Sequence, residues 1–199
     1  MPKIVDHDAR REEIAQALWR VVRRDGIRAA SVRTVAAEAG WSAGAVRYYF
    51  PDQDGLINFA MDLVSQRVHA RVSQLQPTGT PVEIVLRYLE EVIPLDPERL
   101  AEFDVWLSFT AQAQAESGAG GLRRHLGPVH EGLRELCGRL VHALSDSGDL
   151  RPDLDLELET ERLHALVDGI SFHVTLAPEV TTAARVRQVL EAHLLSLRP

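Results

Sequence analysis

The chain has 199 residues, 45% apolar and 26% charged, enough to bury a substantial core and too apolar for a largely disordered protein. Its one cysteine, Cys137, excludes an internal disulfide framework and a thiolate cluster and suits a reducing, cytoplasmic setting; with no basic-then-apolar leader and no run of about 18 apolar residues, a soluble protein is expected. The formal charge of −7 hides an asymmetry: residues 1 to 50 hold nine Lys/Arg against six Asp/Glu, a local +3 that leaves −10 for the rest, so a basic head that meets phosphates sits on an acidic body.

Every periodic segment repeats at helical spacing and none alternates at period two for long enough to make a strand, which predicts an all-α fold of about nine helices. A first helix, about Asp8 to Asp25, carries Ile14, Leu18, Val21 and Val22 on one stripe and stops at Gly26. Ser31 caps a short second helix, with Val32, Val35, Ala36 and Ala39 facing inward and Gly40 closing it. The third starts after Ser42 and ends before Pro51, whose ring disfavours helical geometry at Phe50. Asp52 caps a fourth reaching about Gln74, a rod of roughly 33 Å. After a linker marked by Pro77, Gly79 and Pro81, further helices are expected at about Val82 to Val92, Pro97 to Ala115, Leu122 to Ser145, Leu156 to Leu176 and Thr182 to Leu197, with Ser117 to Gly121 a loop. Gly127 and Pro128 should kink or split the seventh. Residues 1–50 are expected to form a DNA-binding domain and residues 51–199 a ligand-binding and dimerisation domain.

The segment from Ser31 to Leu56 places two short helices on either side of a turn of Gly40, Trp41 and Ser42, the arrangement of a helix-turn-helix. At 100° per residue, Ala43, Gly44, Arg47 and Tyr48 share one arc of about 140° on the third helix, while Val46 and Phe50 point to the core. Small side chains at its start let the backbone approach the floor of a major groove, where Arg47 can bond a guanine edge and Tyr48 a base or sugar. Ser31, Arg33, Thr34 and Ser42, at helix starts whose free amides favour phosphate, are candidate backbone contacts, together with the Tyr49 hydroxyl. Ser31 and Ser42 would cap their helices whether or not DNA binds.

These residues resemble the N-terminal domain of the TetR family: Ala36, Ala39, Gly40, Ser42, Gly44, Tyr48, Tyr49 and Phe50 reproduce its AxxAGxSxGxxxYYF pattern. The resemblance implies that the first three helices form a DNA-binding head, the fourth links it to a regulatory body, and the last two pack into a four-helix bundle between subunits. It also implies phosphate contacts from the Tyr49 position and the start of the second helix, and base reading by the third. Trp41 stands where a smaller apolar residue is usual, and Gln53, included among the phosphate contacts, where a lysine is common. Farther along, Trp106 to Ala113, Gly148 to Asp155 and Leu166 to His173 are similar to the BetI-like subgroup's C-terminal domain.

In the body, the eighth helix carries one apolar line of Leu163, Val167, Ile170 and Val174 and another of Leu166, Gly169 and His173. The ninth offers Val186, Val189, Leu190, His193 and Leu197. Two adjacent wide stripes are expected to form a homodimer interface, since a lone subunit would expose them; the dimer would hold two heads about one turn apart, roughly 34 to 36 Å, on a pseudo-palindromic duplex operator. Candidates for lining a small-molecule effector cavity are Phe59, Leu63, Phe103, Trp106, Leu107, Thr110, His130, Leu133 and Cys137, although aromatic clusters at helical spacing more often serve packing. His164 and Asp168 stand four apart, but no third ligand is placed by the sequence, so neither metal nor cofactor is expected and an ion pair or dimer contact is favoured. An enzyme is not expected: there is no phosphate-cradling glycine loop, no HExxH pair and no carboxylate-rich repeat. The reading that follows is a repressor released from its operator by a small molecule, the alternative being control by a protein partner.

Overall fold

The computed structural model describes residues 6–115 and 123–199. Among them are nine α-helices and no strand: α1 (His7–Asp25), α2 (Val32–Ala39), α3 (Ala43–Tyr49), α4 (Gln53–Gln74), α5 (Pro81–Val92), α6 (Pro97–Ala115), α7 (Arg123–Asp146), α8 (Leu156–Leu176) and α9 (Ala183–Ser196), with one 3-10 turn, Ile27–Ala29. Lys3 and the loop expected at residues 117–121 lie outside the described residues.

Local chemistry sets the helix ends. The Asp6 carboxylate accepts from the amides of Asp8 and Ala9 to start α1, and Ser31 and Thr34 form a reciprocal capping box at α2. Ser42 accepts from the Ala45 amide at 3.1 Å to start α3. Gly40 ends α2 in the left-handed region, φ 73° and ψ 24°, and a Cβ there would meet nothing within 4 Å. Gly40→Ala therefore adds no clash and imposes only the left-handed backbone penalty, about 1–2 kcal/mol; urea unfolding is expected to register a loss of that size.

Of the kink or split that Gly127 and Pro128 predict in α7, the split does not occur. The helix runs unbroken from Arg123 to Asp146 with Pro128 inside it. Pro128 lies early in α7, where its missing amide removes a single ladder bond near an end that is already short of partners.

The chain divides into two compact units, Met1–Arg67 with Ala101–Leu126, and Val68–Leu100 with Gly127–Pro199. The first is built on α1, whose Ile14, Leu18, Val21 and Val22 are buried as the stripe predicts, together with Val35, Ala36, Val46 and Phe50. Each such large side chain contributes roughly 1.5–3 kcal/mol when removed from water. The first half of α4 belongs to this unit: the Trp19 indole N–H donates to the Ala60 carbonyl at 3.2 Å, Arg67 lies over the Trp19 ring at 4.9 Å and bonds Glu12 at 2.6 Å, and Arg11 lies 4.5 Å over Phe59. These ties fix the entry to α4 relative to α1 through α3.

The second unit packs α5, the C-terminal part of α7, α8 and α9 around Leu86, Leu89, Ile93, Cys137, Val141, Leu144, Leu163 and Leu190. Arg187 of α9 bonds Glu90 of α5 at 2.5 Å, and the Arg151 amide donates to the Leu197 carbonyl at 3.0 Å.

Candidate nucleic-acid interface

The third helix is short, capped and anchored from below. Val46 is fully buried and Phe50 nearly so, which fixes the rotation of α3 and turns Arg47 and Tyr48 to solvent, as the helical arc predicts. Tyr48 is 73% exposed, the most exposed large apolar side chain among the described residues. Ala43 is half-buried and Gly44 exposed at the start of the same face. A face that presents a large aromatic and a cation to water beside two small residues has no packing role to explain it.

An aromatic cluster braces this face. Tyr48 and Tyr49 meet edge to face with centroids 5.2 Å apart, and Tyr49 in turn meets the edge of Trp41 at 5.8 Å and His7 at 5.7 Å. Trp41 is accommodated by α1: its indole N–H donates to Glu13 at 3.4 Å and the Arg10 guanidinium lies 5.0 Å over its ring. The bulky turn residue thus ties α1 to the turn between α2 and α3.

The charge is sorted by partner. Arg10 pairs with Glu13, Arg20 with Glu38, Arg23 with Asp104, and Arg24 with both Asp25 and Glu38; hydrogen bonds from Arg24 and then Arg20 hold the Glu38 carboxyl below its ordinary range. Arg33 and Arg47, by contrast, are exposed and make no hydrogen bond or ion pair among the described residues. The same holds for Arg28 in the 3-10 turn, a basic residue that the helical pattern did not single out because it lies outside any periodic segment. Within residues 6–50, the exposed arginines left without an internal partner, Arg28, Arg33 and Arg47, therefore all lie around the helix-turn-helix.

The expected phosphate contacts divide. Ser31 and Ser42 are helix caps, and the Thr34 hydroxyl bonds the carbonyls of Ala29 at 2.5 Å and Ser31 at 2.9 Å. Gln53 is exposed, but its amide donates to the Ala30 carbonyl at 2.7 Å. Gln53, which the sequence places among the phosphate contacts, thus latches the start of α4 to the approach to α2. Tyr49 is half-buried in the aromatic cluster.

The interface stripe expected on α8 and α9 needs a larger correction. Leu163, Val167, Ile170, Val174, Val186, Leu190 and Leu197 are all buried in the subunit's own core, and Val189 packs partly against it. His193 is half-buried, and burial holds its imidazole below the ordinary histidine range. Of the stripe residues, Ile170, Val186 and Val189 also line a groove open to solvent, whereas Leu163, Val167, Val174, Leu190 and Leu197 are committed to the core, which corrects their assignment to an interface. The apolar groups that α8, α9 and their connection leave in solvent are Leu158, Phe172, Leu176, Val180 and Leu195. Beside them runs an open groove of about 380 Å³ lined by Leu166, Gly169, His173, Val180 and Val189 among others.

Of the cavity candidates, Phe59, Leu63, Phe103, Trp106, Leu107 and Thr110 belong to the first unit and His130, Leu133 and Cys137 to the second. Phe103 and Trp106 meet at 5.3 Å, and the buried Trp106 indole N–H has no acceptor among the described residues. Cys137 is fully buried in the core, and burial pushes its thiol up to about 12; it touches no water-sized space, which corrects its assignment to a cavity wall. His130 is exposed and lies against His164 instead.

Two known families match successive parts of the chain. Residues 14–59 match the family described as bacterial regulatory proteins, tetR family, and residues 81–199 match the C-terminal domain of the BetI-type transcriptional repressor. The transcriptional regulator PksA of Bacillus subtilis is 38% identical over 99% of this chain and 94% of its own. A transcriptional regulator from Rhodococcus sp. Rha1 superposes with a TM-score of 0.76 at 26% identity, covering 94% of this chain and 95% of its own. A regulator from Saccharomonospora viridis, solved in complex with choline, has the same fold at 21% identity, with a TM-score of 0.76 over 94% of this chain and 96% of its own. These proteins are regulators, not enzymes. The chain belongs to the TetR family of transcriptional regulators, with that family's helix-turn-helix at its N-terminus and a BetI-type C-terminal domain.

Proposed function

We propose that the protein is a ligand-responsive, sequence-specific repressor that binds a pseudo-palindromic operator as a homodimer. Residues 1–50 read the DNA and residues 51–199 carry the effector and dimerisation functions. The observation that carries this reading is the α3 face, on which Arg47 and Tyr48 stand in solvent above a fully buried Val46. Arg47 reads a guanine edge, Tyr48 a base or sugar, and Ala43 and Gly44 let the helix lie deep in the groove. Arg33, Arg28, the free amides in the first turns of α2 and α3 and the Tyr49 hydroxyl position the phosphates without reading sequence.

The effector is a small organic molecule, a reading supported by the BetI-type body and by the choline held in the Saccharomonospora viridis neighbour. Phe103, Trp106, Leu107 and Thr110 of α6, with Phe59 and Leu63 of α4, are the retained contacts; an acceptor on the effector would satisfy the Trp106 indole. Release requires the effector to favour the non-binding state, and 100-fold relief corresponds to about 2.7 kcal/mol of coupling.

The test is to incubate the purified chain with sheared genomic DNA of its host, sequence what it retains, and then add choline and products of the neighbouring genes as candidate effectors. A few discrete loci sharing an inverted repeat, released by one class of compound, are expected. Even coverage of the genome would reject the operator reading.

A further inference from the structure

We propose that His130, His164 and Asp168 form a binding site for a divalent transition-metal cation of the zinc, cobalt and nickel type. His164 and Asp168 stand one turn apart on α8, with Nε2 and Oδ2 3.5 Å apart. The structure supplies the third group from α7: the His130 ring lies 4.7 Å from that of His164, tilted by 46°. One ligand atom from each residue falls within 4.8 Å of the other two. A cation with bonds of about 2.0–2.2 Å holds neighbouring ligand atoms roughly 3–3.5 Å apart. The α8 pair already meets that spacing, and closing the rest needs about an ångström of motion, within reach of the exposed His130 side chain.

A second observation points the same way. The His164 side chain is 8% exposed, and its buried Nε2, 3.5 Å from Asp168, makes no hydrogen bond among the described residues. An unpartnered nitrogen in that position is costly in a folded protein, and a metal bond would satisfy it. Arg134, whose charge reaches His164, is engaged by Glu157. Two imidazoles and one carboxylate favour a borderline transition metal over magnesium or calcium, which take oxygen ligands. Three protein ligands on a partly exposed site leave at least one position for water or a small anionic ligand. The three residues belong to one compact unit, and the site requires nothing of the DNA-reading face.

The test uses the full chain, with any affinity tag removed and metal stripped by chelation, titrated with cobalt(II) in the visible and with zinc(II) by calorimetry. One equivalent per subunit is expected, with the intense d–d bands of a four- or five-coordinate ion. His130→Ala, at an exposed position, should leave the helical circular dichroism intact and weaken zinc binding at least about tenfold, the loss that even an outer-shell change produces; Asp168→Asn should do the same. His142→Ala, at an exposed histidine whose Nδ1 lies 2.8 Å from the Gly138 carbonyl, should change nothing. Absence of a stoichiometric equivalent, a spectrum of hydrated cobalt, or zinc affinity indifferent to His130→Ala would each overturn the proposal.

Discussion

Arg47→Ala is expected to weaken operator binding by about 1–3 kcal/mol, or about 5- to 150-fold, and to erase preference at one base pair of each half-site. Size and selectivity follow from the same geometry. Arg47 makes no hydrogen bond or ion pair among the described residues, so its removal costs no internal contact, and it projects from a helix whose rotation Val46 and Phe50 fix by burial. The control is Arg33→Ala, another exposed and unpaired arginine at the start of α2. A phosphate contact there should weaken binding to every sequence alike and lower the salt slope by about 1. Fluorescence anisotropy on the operator and its single-base variants, at two salt concentrations, separates the two. Equal loss on all sequences for Arg47→Ala would reassign it from reading to positioning.

Leu176→Glu is expected to have the larger effect on function without touching the head. Leu176 is 66% exposed at the end of α8, near Phe172 and the exposed Val180, so a charge there leaves the subunit's own core intact. Where the proposed homodimer meets on this exposed face, the same charge costs about 2 kcal/mol or more, at least about 30-fold in dimer dissociation. Loss of the second head then removes the avidity of joined half-sites, about 10²- to 10⁴-fold. Sedimentation should show a monomer of unchanged helicity. Leu163→Ala, which truncates a fully buried side chain, should instead lower stability by about 2–5 kcal/mol. A Leu176→Glu protein that still sediments as a dimer would move the interface elsewhere.

The head was legible in the sequence because its signals are local. Ser31, Gly40 and Ser42 delimit α2 and α3 through caps that act within three or four residues, and once those ends are set, rotation at 100° per residue places Arg47 outward and Val46 inward. What escaped were contacts whose partners lie far along the chain or on the backbone. Nothing about Gln53 announces that its amide reaches the Ala30 carbonyl, and His164 with Asp168 reads as an ion pair until His130 arrives from another helix. The α8 stripe misled for a different reason. Both lines are apolar, and amphipathic pattern alone does not say which one the subunit keeps; the line through Leu163, Val167, Ile170 and Val174 became core, with Ile170 also reaching the open groove that the line broken by Gly169 and His173 borders.

The most direct measurement is selection from a fully randomised duplex pool by the wild-type chain, read by sequencing. An inverted repeat should emerge, its half-sites centred about 10 base pairs or a multiple apart, with a guanine whose enrichment vanishes when Arg47→Ala protein makes the selection. A pool that stays random under the wild type, or a motif that Arg47→Ala and Tyr48→Ala proteins recover unchanged, would contradict the assignment of α3 as the reading helix.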